Sequence, residues 1–111
     1  MPTTVKSLPL FDKRLERLER KYPKTIDDVL LLIDQLEQDQ RPGQRVPGVG
    51  YSIYKVRLPN RSARRGKSGG FRIIYYAQRS NRVTLLTIYS KTENTDISIT
   101  EIRQLALEAE E

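Results

Sequence analysis

Gly70-Phe-Arg-Ile-Ile-Tyr-Tyr-Ala-Gln78, a Ser80-Asn81 turn, and Val83-Thr-Leu-Leu-Thr-Ile-Tyr89 form the stretch that decides the fold. In the first run Phe71, Ile73 and Tyr75 alternate with Arg72, Ile74 and Tyr76; the second is a continuous run of β-branched and large apolar residues. Two such runs joined by a tight polar turn predict an antiparallel hairpin whose second strand lies in the interior of a sheet. Upstream, Tyr54, Val56 and Leu58 alternate with Ile53, Lys55 and Arg57, the pattern of a half-buried strand with a polar outer face. The expected strands are 51–58, 70–78 and 82–90.

Prolines and glycines mark residues 41–50 as a loop. Before it, Leu8, Phe11, Leu15, Leu18 and Tyr22 recur at spacings of three and four, one face of a helix capped by Ser7 and ended by Pro23. Thr25 is the expected cap of a second helix, with Asp27 and Asp28 at its positive end and Ile26, Val29, Leu30, Ile33 and Leu36 on one side. The short Pro23-Lys24 connection makes the pair an antiparallel hairpin, since two heptads per helix are too few for a coiled-coil seam. Residues 3–6 suit an edge strand. Ser98-Ile-Thr-Glu101 reads as a capping box opening a last helix with Ile102, Leu105, Ala106 and Ala109 inward. The expected fold class is α+β, in the order (β)ααβββα: an N-terminal antiparallel helical hairpin on a small, mostly antiparallel twisted sheet, with a C-terminal helix. The 111 residues fit one domain, 1–111.

Charge is strongly segregated along the chain. Between Gln40 and Thr92 lie twelve Lys and Arg and no acid, while the net charge is only +6, so the flanks are acidic. A one-sign block destabilises a fold by self-repulsion and attracts polyanions, which points to a nucleic acid partner. The chain has no cysteine and no histidine. Thiolate chemistry, Cys-based metal sites and the commonest general acid/base are thereby excluded, leaving Lys, Arg, Tyr, Ser/Thr or carboxylates for any catalysis. With no signal-peptide core at the start and no apolar run long enough to span a bilayer, the expected location is cytoplasmic, away from membranes.

Three constellations could carry chemistry. Lys55 and Arg57 are two apart on one strand and share a face; if the next strand pairs with them, Arg72 stands on that face too. Such a set is either an ordinary solvated sheet face or a phosphate site. RNA cleavage, in which a 2′-hydroxyl attacks the adjacent phosphate, builds negative charge on phosphoryl oxygens that fixed guanidinium groups stabilise, and a lysine among arginines can move protons where no histidine exists. The segment from Arg61 to Gly70, with Arg61, Arg64, Arg65 and Lys67, is either a charge-solubilised hairpin loop or a flap that grips the RNA backbone. Its Gly69-Gly70 pair is no phosphate-binding glycine loop, because neither nucleotide motif is present and no helix follows. Lys91 and Glu93 sit where the last strand ends, a usual place for site residues, though Glu93 could equally pair with an arginine. Tyr76 and Tyr89 either stack on bases or belong to the core.

The run Gly69-Gly-Phe-Arg-Ile-Ile-Tyr-Tyr76, followed by Leu85-Leu-Thr-Ile-Tyr-Ser-Lys-Thr-Glu-Asn-Thr-Asp96 and Gln104-Leu105, resembles the RelE superfamily of bacterial toxins, which share the RelE/ParE fold. HigB-type members are the nearest look-alikes, sharing a Lys-x-Arg strand, a GGxRIIYY-like strand and an LLTxYxKxExxD-like strand in this order. The resemblance spans about the last two-thirds of the chain. It implies the toxin of a type II toxin-antitoxin system: an endoribonuclease (mRNA interferase) that cuts mRNA in the ribosomal A site without metal or other cofactor, inhibits translation, and is neutralised by an antitoxin expected from the neighbouring gene. Lys55, Arg57 and Arg72 match the family's basic strand positions, and Lys91 matches the basic residue closing the last strand. The chain departs from the pattern where many members place a tyrosine or histidine near the C-terminal end; the corresponding region here offers Thr92 and Ser98. The alternative from another class is a relative that acts by binding alone, to gyrase or to its antitoxin. A general RNA-binding module lacks support, since no aromatic RNP pattern lies on the strands.

Overall fold

The structure is a computed structural model that describes residues 2–58, 70–91 and 97–111. Its elements are β1 (Thr4–Ser7), α1 (Pro9–Lys21), α2 (Thr25–Glu37), β2 (Gln44–Arg45), β3 (Ile53–Leu58), β4 (Phe71–Gln78), β5 (Arg82–Ser90) and α3 (Ile99–Glu110). The five strands form one sheet in the order β1-β5-β4-β3-β2, antiparallel except for the β1–β5 pair. The fold is α+β, as the alternation in β3 and β4 and the helical spacings on either side dictate.

Helices cover the sheet on both sides. Val56, Phe71, Ile73, Tyr75, Val83, Leu85 and Ile88 point to one face, where Phe11 and Leu18 of α1 and Val29, Leu32 and Leu36 of α2 close the larger core. Ile53, Ile74, Tyr76, Leu86 and Tyr89 point to the other, under Ile102 and Ala106 of α3. Burial on both faces explains why β5 reads as a continuous apolar run rather than an alternating one. Its turn from β4 places Ser80 and Asn81 at positive φ, and a bulge between Ile74 and Tyr75 shifts the β4–β5 register by one residue.

Several local expectations need correction. Ser7 does not cap α1: it ends β1, its hydroxyl donates to Asp12, and Leu8 takes the cap position ahead of Pro9, which suits the first helical turn. Thr25 is the first residue of α2 rather than its cap, and its buried hydroxyl has no partner among the described residues. Leu30 is solvent-exposed and Leu32 takes the core position, because Val29-Leu-Leu-Leu-Ile33 is apolar at every helical phase and periodicity cannot select the inward side. The 41–50 loop contains the short edge strand β2. Gly43 makes it possible: at φ +94°, a Cβ there would lie 2.4 Å from the Lys55 carbonyl oxygen. For α3 the expectation held, with Ser98 accepting from the Glu101 amide at 3.2 Å and Ile102 and Ala106 buried.

Candidate nucleic-acid interface

The register of β3 against β4 sets Arg57 directly opposite Arg72 and Lys55 opposite Ile74. All four side chains therefore share the sheet face that α3 covers further along, and the pairing that brings Arg72 beside Lys55 and Arg57 is present. Directly opposed residues hold their Cβ atoms about 4.5–5.5 Å apart, where like charges repel. Lys55 is diagonal to Arg72, about 7–8 Å away across the pair. Two arginines face to face cost stability unless an anion sits between them. Arg57 is exposed and Arg72 half-buried, its guanidinium donating weakly to the Gly70 carbonyl at 3.4 Å. On this face Ile74 and Tyr76 belong to the core under α3, and Arg72 is the next position along β4 on the same face, opposite the buried Tyr89.

Lys91 follows β5 directly, exposed, with its backbone amide on the Gly70 carbonyl at 3.3 Å. It stands at the same end of the sheet as Arg57 and Arg72. Arg61, Arg64, Arg65, Lys67 and Glu93 lie outside the described residues.

The two tyrosines are core residues in their surroundings. Tyr76 is 8% exposed beneath α3, its ring edge-on to Tyr51 at 5.3 Å and its hydroxyl donating to Glu110. Burial, and next the bond to Glu110, push its phenol up to about 12. Tyr89 is 4% exposed, in the strand register opposite Arg72. Neither presents an open ring for a base to stack on, so of the two readings left open by the sequence the core one fits. Tyr75, on the opposite face, stacks on Tyr54 and donates to the Pro42 carbonyl at 2.6 Å; burial drives its phenol well above the ordinary value.

The basic block of the sequence does not map onto one patch. Arg41 turns back to the end of α2, donating to the Leu36 carbonyl and the Thr3 hydroxyl. Arg79 and Arg82 flank the β4–β5 turn, at the opposite end of the sheet from Arg57 and Arg72. A group that sequence reasoning missed is Arg14 of α1. Its guanidinium donates at 2.9 Å to the hydroxyl of Thr87, which is opposite Ile74 and so on the Lys55 face. The signal was a cation on α1 adjoining its apolar stripe, a position that Lys21 shares one heptad on.

No protein-family model matches the sequence. Among solved structures, the chain is similar to a mutant of the E. coli toxin RelE in the free state, with a TM-score of 0.57 at 16% sequence identity, over 86% of this chain and 90% of that one. The fold is RelE-like. Identity that low carries architecture and not individual residues, so the RelE-like scaffold is common ground while the basic set on β3 and β4 is argued from this chain alone. Among the described residues, no helix is long and apolar enough to cross a membrane, and no group of three or more carboxylates could hold a metal ion.

Proposed function

We propose that this chain is the toxin of a type II toxin-antitoxin pair, HigB-like in type, and that it cleaves mRNA on the ribosome. The observation that carries the reading is the direct opposition of Arg57 and Arg72 with Lys55 beside them on one sheet face. A scaffold holding only itself together gains nothing from that opposition; a phosphodiester placed between the two guanidinium groups turns the repulsion into two charge-assisted contacts.

In this reading the strands hold Arg57 and Arg72 before substrate arrives, so no reorganisation is needed when the 2′-hydroxyl attacks and charge builds on the phosphoryl oxygens. Lys55 and Lys91 flank the reacting phosphate and supply proton transfer in a chain without histidine, with Glu93 as a further candidate for that task. Arg61, Arg64, Arg65 and Lys67 serve as contacts to the neighbouring backbone. The chemistry calls for no metal or other cofactor. The antitoxin, the product of the adjacent gene, supplies acidic segments that mask the basic face.

Single-turnover cleavage on programmed ribosomes at saturating protein tests the assignment. Arg72→Ala is expected to slow the bound complex on the order of a hundred- to a thousandfold, with ribosome affinity nearly unchanged and thermal stability of the free protein unchanged or slightly raised as the repulsion with Arg57 is relieved. Lysine at the same position is expected to restore only part of the rate, because a point charge cannot reproduce the two-pronged guanidinium. Arg64→Ala is expected to weaken binding and leave the bound rate alone. Equal, small losses for Arg72→Ala and Arg64→Ala would remove the active site from this face, and a wild-type chain that binds gyrase or antitoxin but cuts nothing would establish the binding-only alternative.

A further inference from the structure

Chain order hides a second cationic surface. In α1 five cations and three acids alternate along the sequence, so the helix looks like a neutralised, solvated element. On the helix they separate. Lys13, Arg14, Arg17, Arg20 and Lys21, at spacings of one, three, three and one, fall on one stripe, while Asp12, Glu16 and Glu19, at spacings of four and three, fall on another. The cationic stripe runs about 12 Å along the helix axis. A groove of about 540 Å³ follows it, lined by Leu10, Lys13, Arg14, Arg17 and Arg20 with a single acid, Glu16. That acid bridges to Arg20 at 2.9 Å, an exposed i,i+4 pair worth little in energy.

The position of the stripe matters as much as its sign. Arg14 donates to Thr87, which stands in the same cross-strand row as Ile74 and Lys55. Just past α1, Tyr22 meets Phe71 edge-on at 5.6 Å, on the sheet face opposite Arg72. Through Arg14 the stripe is tied to the row of Lys55, although α1 itself packs on the other face of the sheet. We infer that the α1 stripe is a docking surface for the phosphate backbone of a double-stranded RNA segment. A straight helix holds its cations in a fixed row, which matches the fixed phosphate row of a duplex better than a flexible single strand. Direct reading of bases is not required, since phosphate contacts position a nucleic acid without specifying it.

The inference rests on the RNA reading of the sheet face but is tested without ribosomes or cleavage. The probe is a 20-base-pair RNA duplex of arbitrary sequence, with a single strand of equal length as comparison, titrated against the full chain across a salt series. Lys13→Gln/Arg17→Gln/Arg20→Gln is expected to weaken duplex binding about tenfold or more, and to flatten the slope of log affinity against log salt by about two to three, one phosphate contact for each charge lost. Arg72→Ala is expected to change that slope by about one or less. A thermal melt verifies that the triple variant is folded; the milder Lys13→Gln/Arg17→Gln pair, expected to flatten the slope by about two, replaces it if the melt is lost. Unchanged duplex affinity and slope would overturn the assignment. Equal losses on duplex and single strand would overturn the duplex part of it, and a loss confined to an acidic protein partner would make the stripe a protein-docking surface instead. If the chain cuts no mRNA yet shows the expected duplex slopes, the proposed function fails and the stripe stands.

Discussion

Gly43 and Tyr76 show how single residues hold the site's frame. At Gly43 two costs coincide, a positive φ and a missing Cβ whose place is filled by the Lys55 carbonyl, whereas Gly50, at φ +90°, has open space around it. Gly50→Ala is expected to lose about 1–2 kcal/mol from backbone strain alone, and Gly43→Ala distinctly more, with the pairing of β2 on Lys55 loosened. Urea unfolding of the two variants measures the difference. Tyr76 sets a pH dependence whose sign follows from its raised phenol. The folded state holds that proton more tightly than the unfolded chain, so the stabilisation is complete below the ordinary tyrosine value of 10 and drains away as the pH climbs through about 12. Wild-type stability is expected to fall faster than that of Tyr76→Phe across this interval; identical slopes would mean that neither burial nor the Glu110 bond holds the proton. At this scale the sequence was only partly legible. It named Lys55, Arg57 and Arg72 by alternation, but whether Tyr76 faced RNA or the core depended on how far α3 extends along β4, a tertiary fact with no local signal.

Elements were legible where one periodicity ruled and illegible where two phases were equally apolar. The strands at 51–58, 70–78 and 82–90 and the helices on both flanks followed from patterning, since a half-buried strand and an amphipathic helix each leave a period behind. In α2 five consecutive apolar residues erased the phase, and only packing against Ile73, Tyr75 and Val56 selects Leu32 for the core. The contrast is measurable. Leu32→Ala, at 1% exposure, is expected to cost about 2–5 kcal/mol, and Leu31→Ala, at 61%, no more than about 0.5 kcal/mol in denaturant titrations. The same blindness to phase concealed the charge of α1, where counting along the chain mixes signs that the helix sorts. Two-residue β2 left no pattern to find.

For the whole molecule, the charge block that suggested a nucleic acid partner is redistributed by folding: Arg41 secures the end of α2, Arg79 and Arg82 go to the far turn, and α1 contributes cations that the block count left out. What remains on the Arg72 side is still strongly basic. Ribosome affinity is expected to drop by roughly two to three decades between 50 and 200 mM salt, as for about five neutralised phosphates; a flat salt response would contradict an electrostatic grip. The parallel β1–β5 pair has a consequence in time. Thr4 to Ser7 can be seated only against Arg82 to Leu85, contributed by the last of the five described strands in chain order. A contact between such distant positions forms late and slowly. Until β5 has been translated, the sheet cannot close and Thr87 is not yet there for Arg14 to grasp, so the basic surface is assembled only after that strand is made. On the ribonuclease reading proposed above, the ribosome making this chain is spared the assembled basic surface until β5 has been made.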